Sequence, residues 1–159
     1  MRTKKTAQNE QKSTATDEHS TESENVKNEP LMTLTIDQQM FGLNVMPGWN
    51  DFIHAYARSP VIGNRMKRDC MMACTMYIRR QLKGRHIDGP VIVHYHFYEA
   101  TLKRDLDNIL FISKPLLDAL QACGILPQDN WHYIRGITAD RHLDRKHPKI
   151  VVEFEEVKE

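Results

Sequence analysis

The sequence predicts a single α/β domain of the α+β kind, a mixed β-sheet with helices packed on it. Three observations lead there. Residues 91–98 alternate apolar and polar side chains cleanly, the mark of a strand. Apolar residues recur at helical spacing in 64–82 and again in 109–123. Read from end to end, the elements run β, α, β, α, β, β. A length of 159 residues suits one domain with one modest core.

Residues 1–30 read as a disordered polar N-terminal tail. They hold almost nothing apolar and cannot bury enough surface to offset their ordering entropy. Their five basic and six acidic residues nearly cancel. The folded domain is assigned to 31–159 and begins with a strand at 31–36. Pro47 and Gly48 mark a loop over 44–50. A short helix is expected at 51–58, after which Pro60 and Gly63 interrupt the chain.

Asn64 is the expected N-cap of a helix running to Leu82. Cys70, Cys74, Tyr77, Ile78 and Leu82 share its apolar stripe. Arg79, Arg80, Lys83 and Arg85 crowd its C-terminal end, where the helix dipole favours cations. A DNA-contact role for the same cluster is an equal alternative.

Pro90 precedes the strand at 91–98. Val91, Val93, Tyr95 and Phe97 take one face, and Ile92, His94, His96 and Tyr98 the other. His94 and His96 side by side admit a two-histidine metal site. With no third ligand near them, a half-exposed sheet face is the plainer reading.

The next helix carries Ile109, Ile112, Leu116, Leu117, Leu120 and Cys123 on its apolar side, with Gly124 as a natural C-cap. Pro115 either kinks it or lies in the first turn of a helix that starts near Ser113. A loop over 126–130, a strand over 131–138, a charged turn over 139–148 and a strand over 149–157 complete the chain.

Composition excludes several classes. No apolar run reaches the ~18–20 residues of a membrane span, so no membrane partner is expected and a cytoplasmic location is the default. Three cysteines, Cys70, Cys74 and Cys123, make no disulfide framework and no zinc knuckle. They read as buried thiols on helix faces. A formal net charge of +1 does not by itself point to nucleic acid. Any DNA contact must come from basic residues gathered on one face.

Three carboxylates carry the candidate chemistry: Asp105, Asp107 and Asp129. In an extended segment Asp105 and Asp107 point to the same side, about 6–7 Å apart along the backbone. Carboxylates so close repel unless a cation or proton lies between them. Asp129 can return beside them if the chain runs out along 109–123 and back. A hard divalent ion held there would activate water and stabilise charge on a scissile phosphate. Lys103, Arg104 and Lys114 are the basic groups at hand. On spacing alone, a solvated turn with salt-bridged lysine and arginine is the commoner explanation.

The run Lys103-Arg104-Asp105-Leu106-Asp107-Asn108-Ile109, followed by Leu117-Asp118-Ala119-Leu120, Gly124 and Asp129, resembles the signature of the RusA-type Holliday junction resolvases. Trp131 to Ile134, Gly136 and Pro148-Lys149-Ile150-Val151-Val152-Glu153 are similar to phage-borne members. The resemblance covers roughly residues 32–157. It implies a homodimeric endodeoxyribonuclease that needs Mg²⁺ or Mn²⁺ and nicks two opposed strands of branched DNA, the four-way junction, in a bacterial or phage-infected cell.

Carried over by position, Asp105, Asp107 and Asp129 are the metal-binding aspartates and Lys114 the catalytic lysine. The interval from Asp107 to Asp118 is longer than in the best-known members, by about one helical turn. If that turn falls after Lys114, the lysine position is taken by Phe111 instead. The acidic loop has Gln128-Asp129 where many members have two adjacent acids.

Lys103, Arg104, Arg79, Arg80, Lys83 and Arg85 are the expected DNA-binding face. Asn108 caps the following helix or supports the site loop. Asp118 reads as structural, Glu99 as an exposed acid with a ligand role as its alternative, and Trp131 as core with base stacking as its alternative. The competing functions are a branched-DNA-binding protein without catalysis, a nuclease acting on flaps or forks, and a small metal-binding regulator built on His94, His96 and cysteines.

Overall fold

In a computed structural model of the protein, residues 29–38 and 45–158 are described. The expected tail, apart from its last two residues, lies outside them.

Four strands form one sheet in the order β1-β4-β2-β3. They are β1 (Met32–Asp37), β2 (Val91–Glu99), β3 (Ile134–Leu143) and β4 (Lys149–Glu156). β4 runs antiparallel to both β1 and β2, and β3 runs parallel to β2, so the sheet is mixed. The helices are α1 (Trp49–Arg58), α2 (Pro60–Gln81), α3 (Leu106–Ile109) and α4 (Ser113–Ala122), with a 3₁₀ turn at Leu110–Ile112. This is an α+β single-domain fold. No helix among the described residues is long and apolar enough to cross a membrane.

Strand periodicity decides which sheet face the core occupies. Val91, Val93, Tyr95 and Phe97 are fully buried, and so are Ile150, Val152 and Phe154 beside them and Leu34 and Ile36 beyond. Cys74 and Ile78 of α2 and Leu116 and Leu120 of α4 close over that face. The thiols of Cys70 and Cys74 are buried as expected. Burial, with Asp69 adding to it, pushes the Cys70 thiol up to about 11, which leaves it unreactive.

α2 starts five residues earlier than the sequence suggests. Ser59 is its N-cap and accepts from the Val61 N–H at 3.3 Å. Pro60 is the first helical residue, where a missing N–H costs nothing. Ser59 also closes α1, through its N–H to the Ala55 carbonyl at 3.1 Å. Gly63 sits inside the helix because α1 crosses there. A Cβ at that position would lie 2.8 Å from Tyr56 Cβ and 2.9 Å from its Cα. The expected interruption is thus a packing contact, and Asn64 is an exposed interior residue.

Pro115 resolves in favour of a helix beginning at Ser113, so that it falls in the first turn of α4. At the other end, Gly124 takes φ +71° and donates to the Gln121 carbonyl.

β3 also departs from the sequence reading. Residues 131–133 form a turn built on Asn130, whose backbone and side-chain oxygens accept from Tyr133, Ile134 and His132. The strand then extends to Leu143, opposite Glu99, through the first half of the expected charged turn. It is the outer strand of the sheet, and such strands carry polar residues on both faces. The opposite edge, β1, has a different guard. The Gln81 side-chain amide accepts from the Thr35 N–H at 2.9 Å and donates to the Thr35 carbonyl at 2.6 Å.

Candidate functional site

The loop after β2 carries the R-D-x-D-N run, and its anchor is a buried ion pair. Glu99 continues the inward phase of Val91 to Phe97 and is only 2% exposed. The expectation of an exposed acid is corrected by that same alternation, which marks Glu99 as a core-facing position. Arg104 turns back onto it. Its Nη2 donates to both carboxylate oxygens at 2.9 and 2.8 Å, and its Nε to Oε2 at 3.1 Å. Arg104 Nη1 donates to the Met46 carbonyl at 2.6 Å. Gln38, also buried, donates to Glu99 at 2.7 Å and accepts from the Met46 N–H at 3.3 Å. Arg141 of β3 donates to the Arg104 carbonyl. Arg104 is therefore committed to the interior, and its place on the DNA-binding face is corrected: a buried carboxylate demands a cation.

Asp105 follows as the N-cap of α3, with φ −72° and ψ 152°. Its side chain makes no capping hydrogen bond. Asp107 lies one residue into the helix, so the segment is extended only as far as Asp105, and the same-side derivation from an extended chain does not hold. Both carboxylates are exposed and have no side-chain partner among the described residues. Each is favoured electrostatically by the first turn of the helix.

Asn108 works at another helix's end. α1 begins at Gly48, which has no side chain to cap with, and Asp51 accepts from the Gly48 N–H at 2.8 Å. The remaining half of the cap is supplied by Asn108 Oδ1, which accepts from the Asn50 N–H at 2.9 Å. Gly48 is required here, since a Cβ would lie 2.6 Å from Asn108 Oδ1. Asn108 thus ties the aspartate loop to α1 and does not cap the helix it belongs to. Replacing Asn108 by Ala is expected to cost about 1 kcal/mol, the usual loss for a helix cap. A urea unfolding midpoint unchanged from the parent would contradict that role.

Asp129, in the loop after α4, meets Lys114 of the first turn of α4, with Nζ 2.6 Å from Oδ2. Lys114 also reaches Asp118 at 2.8 Å, and Lys67 of α2 reaches Asp118 at 3.1 Å. Hydrogen bonds that its ammonium donates to Asp118 and Asp129 raise the Lys114 pKa, so the lysine stays a cation and a proton donor. Burial pushes the Asp118 carboxyl up, but the Lys114 and Lys67 bonds outweigh it and hold the carboxyl below its ordinary value. Asp118 is structural, as its helical position suggests.

Asp105, Asp107 and Asp129 do not close on one another. Among the described residues, the one group of three histidine, cysteine or acidic side chains with donor atoms within 4.8 Å of one another is His96, Asp140 and His142. Sequence reasoning paired His94 with His96 and missed the other two, because β3 was placed too early for Asp140 and His142 to lie on it.

The expected basic residues do not form one face. Arg79, Arg80 and Lys83 are exposed at the end of α2. Arg85 beside them donates to the Leu31 carbonyl, near the start of β2. Lys103 is exposed beyond the other end of that nine-residue strand. Trp131 is 65% exposed, against the expectation of a core residue, with the Arg135 guanidinium 4.9 Å from its ring centroid. No family model matches the chain, and no curated protein matches it.

Proposed function

We propose that the chain is a metal-dependent endodeoxyribonuclease that resolves four-way DNA junctions by paired nicking, in the manner of the RusA-type resolvases. The observation that carries the reading is the anchored loop. A buried Glu99–Arg104 pair fixes a turn that presents Asp105 and Asp107 to solvent with no protein partner among the described residues. Two exposed carboxylates two residues apart, without protein partners among the described residues, leave oxygen ligands available to a hard cation.

The donor set fits Mg²⁺ or Mn²⁺: carboxylate oxygens, exposed, with room for water. When bound, such an ion supplies charge neutralisation at a phosphate and a more acidic water. Asp105 and Asp107 would hold it, and Asp129 would be available as a further ligand only if its ion pair with Lys114 opened. Lys114, kept protonated by its neighbours, then neutralises charge building on the phosphate or protonates the departing 3′-oxygen. Lys103 positions the backbone. Trp131 offers an exposed ring for an unpaired base. Two equivalent nicks need two equivalent sites, which a twofold dimer provides.

A second reading has one observation in its favour. Lys114 closes Asp129 at 2.6 Å, and this salt-bridged state suits a branched-DNA-binding protein without catalysis.

Incubation with a synthetic four-way junction separates the two. Paired nicks on opposed strands that require Mg²⁺ or Mn²⁺ are expected, with binding that weakens steeply as salt rises. Binding without cleavage in either metal overturns the nuclease reading in favour of the second one. Faster cleavage of flaps or forks than of the junction assigns the same chemistry to another substrate and overturns the resolvase reading.

A further inference from the structure

The open face of the sheet carries a second group of ligating side chains. Parallel pairing of β2 with β3 sets His96 opposite Asp140 and Tyr98 opposite His142, all on the side away from the core. His96 Nδ1 lies 3.0 and 2.8 Å from the two Asp140 oxygens. His142 Nε2 lies 2.8 Å from Asp140 Oδ1. One carboxylate thus bridges two imidazoles, and the three donors converge within 4.8 Å.

We propose that His96 Nδ1, His142 Nε2 and an Asp140 oxygen form a binding site for a zinc-class divalent ion, separate from the aspartate loop. Bonds of about 2.0–2.2 Å to N and O ligands set tetrahedral donors roughly 3.3 Å apart. The nitrogen–oxygen separations need open by only a few tenths of an ångström, and the two nitrogens already lie within 4.8 Å of each other.

The surroundings fit such a site. His96 Nε2 faces Glu153 of β4 at 3.6 Å. An ion at Nδ1 would displace the proton shared there with Asp140 and leave the ring proton on Nε2, on the side of the Glu153 carboxylate. The His142 ring is held by stacking on Tyr98, with centroids 5.0 Å apart, and the Lys149 ammonium lies 4.9 Å from the other ring's centroid. Asp140 and His142 are about half exposed, so water can complete the coordination.

Neighbouring candidates are excluded. His94 is engaged elsewhere, by Thr138 at 2.7 Å and Glu155 at 3.0 Å. Cys70 and Cys74 are buried thiols on the other side of the sheet. Imidazole donors select zinc, cobalt or nickel over magnesium, so this site and a carboxylate site for Mg²⁺ would not compete for one ion.

Titration calorimetry of the metal-stripped full chain with Zn²⁺ tests the proposal, with Co²⁺ absorption reporting the geometry. One ion per chain is expected, undisturbed by millimolar Mg²⁺. His142→Ala and Asp140→Asn should each weaken binding at least tenfold. Glu153→Gln should weaken it by about 10–100-fold, the usual effect of removing a carboxylate that orients a ligating histidine. His94→Gln, and Asp105→Asn with Asp107→Asn, should bind as the parent does, which keeps this site's failure distinct from failure of the nuclease reading. Circular dichroism confirms that each variant is folded; none of the substituted side chains is buried. Absence of stoichiometric binding, or Zn²⁺ affinity unchanged in both His142→Ala and His96→Gln, overturns the proposal.

Discussion

Arg104→Met is expected to destabilise the domain by about 3–5 kcal/mol, the loss seen when one partner of a buried ion pair is removed. The guanidinium satisfies both oxygens of a carboxylate that is 2% exposed, and no other cation among the described residues takes its place in the hydrogen-bond network around Gln38 and Met46. The variant leaves Glu99 charged and without its cation, or forces it to take up a proton. Glu99→Gln in the Arg104→Met background removes the charge and should recover a large part of the loss. Urea unfolding followed by circular dichroism gives both values. A loss below 1 kcal/mol for Arg104→Met would show that the pair does not anchor the loop. The same variant should also lose junction cleavage, since Asp105 follows Arg104 directly.

Asp105→Asn and Asp107→Asn are expected to behave in the opposite way. Both carboxylates are exposed and make no side-chain bond among the described residues, so stability should change by no more than about 0.5 kcal/mol. Cleavage should fall by roughly a thousandfold or more. An ion's stabilisation of phosphate charge is worth several kcal/mol, and each ~1.4 kcal/mol is tenfold in rate. Junction binding should hold or tighten, because a negative charge beside the phosphates has gone. Quenched-flow or gel assays on a labelled junction, with binding measured in Ca²⁺, separate the two effects. Metal-dependent cleavage retained by both variants would sink the assignment of these aspartates.

How far the sequence could be read depended on whether a residue's signal was local. The strand through Val91 to Phe97 was legible because period-two burial is written in consecutive residues. Pro60 and Gly63 misled because both look like breakers. Pro60 is harmless at a helix's first position, and Gly63 answers to Tyr56 on another helix, which no local pattern reports. β3 was placed early because an outer strand shows charge on both faces, and the Asp140–His142 pair went unread with it. Trp131 has the composition of a core residue, but a turn fixed by Asn130 lifts it into solvent.

In the candidate site, Lys114 and Asp129 were singled out separately, and the ion pair between them was not foreseen from the sequence. The occupation of Arg104 could have been inferred, since Glu99 falls in phase with the buried residues before it. The role of Asn108 could not, because its partner lies 58 residues away on α1.

Gln81 has a consequence for assembly. By filling the hydrogen-bonding groups of Thr35 it stops further strands from adding at that rim. Growth is left to the flank of β3. A sheet that can be extended on one side only cannot polymerise by strand addition: two chains joined back to back through β3 would use up the sole growing end of each. Self-association of this kind would terminate at a closed pair.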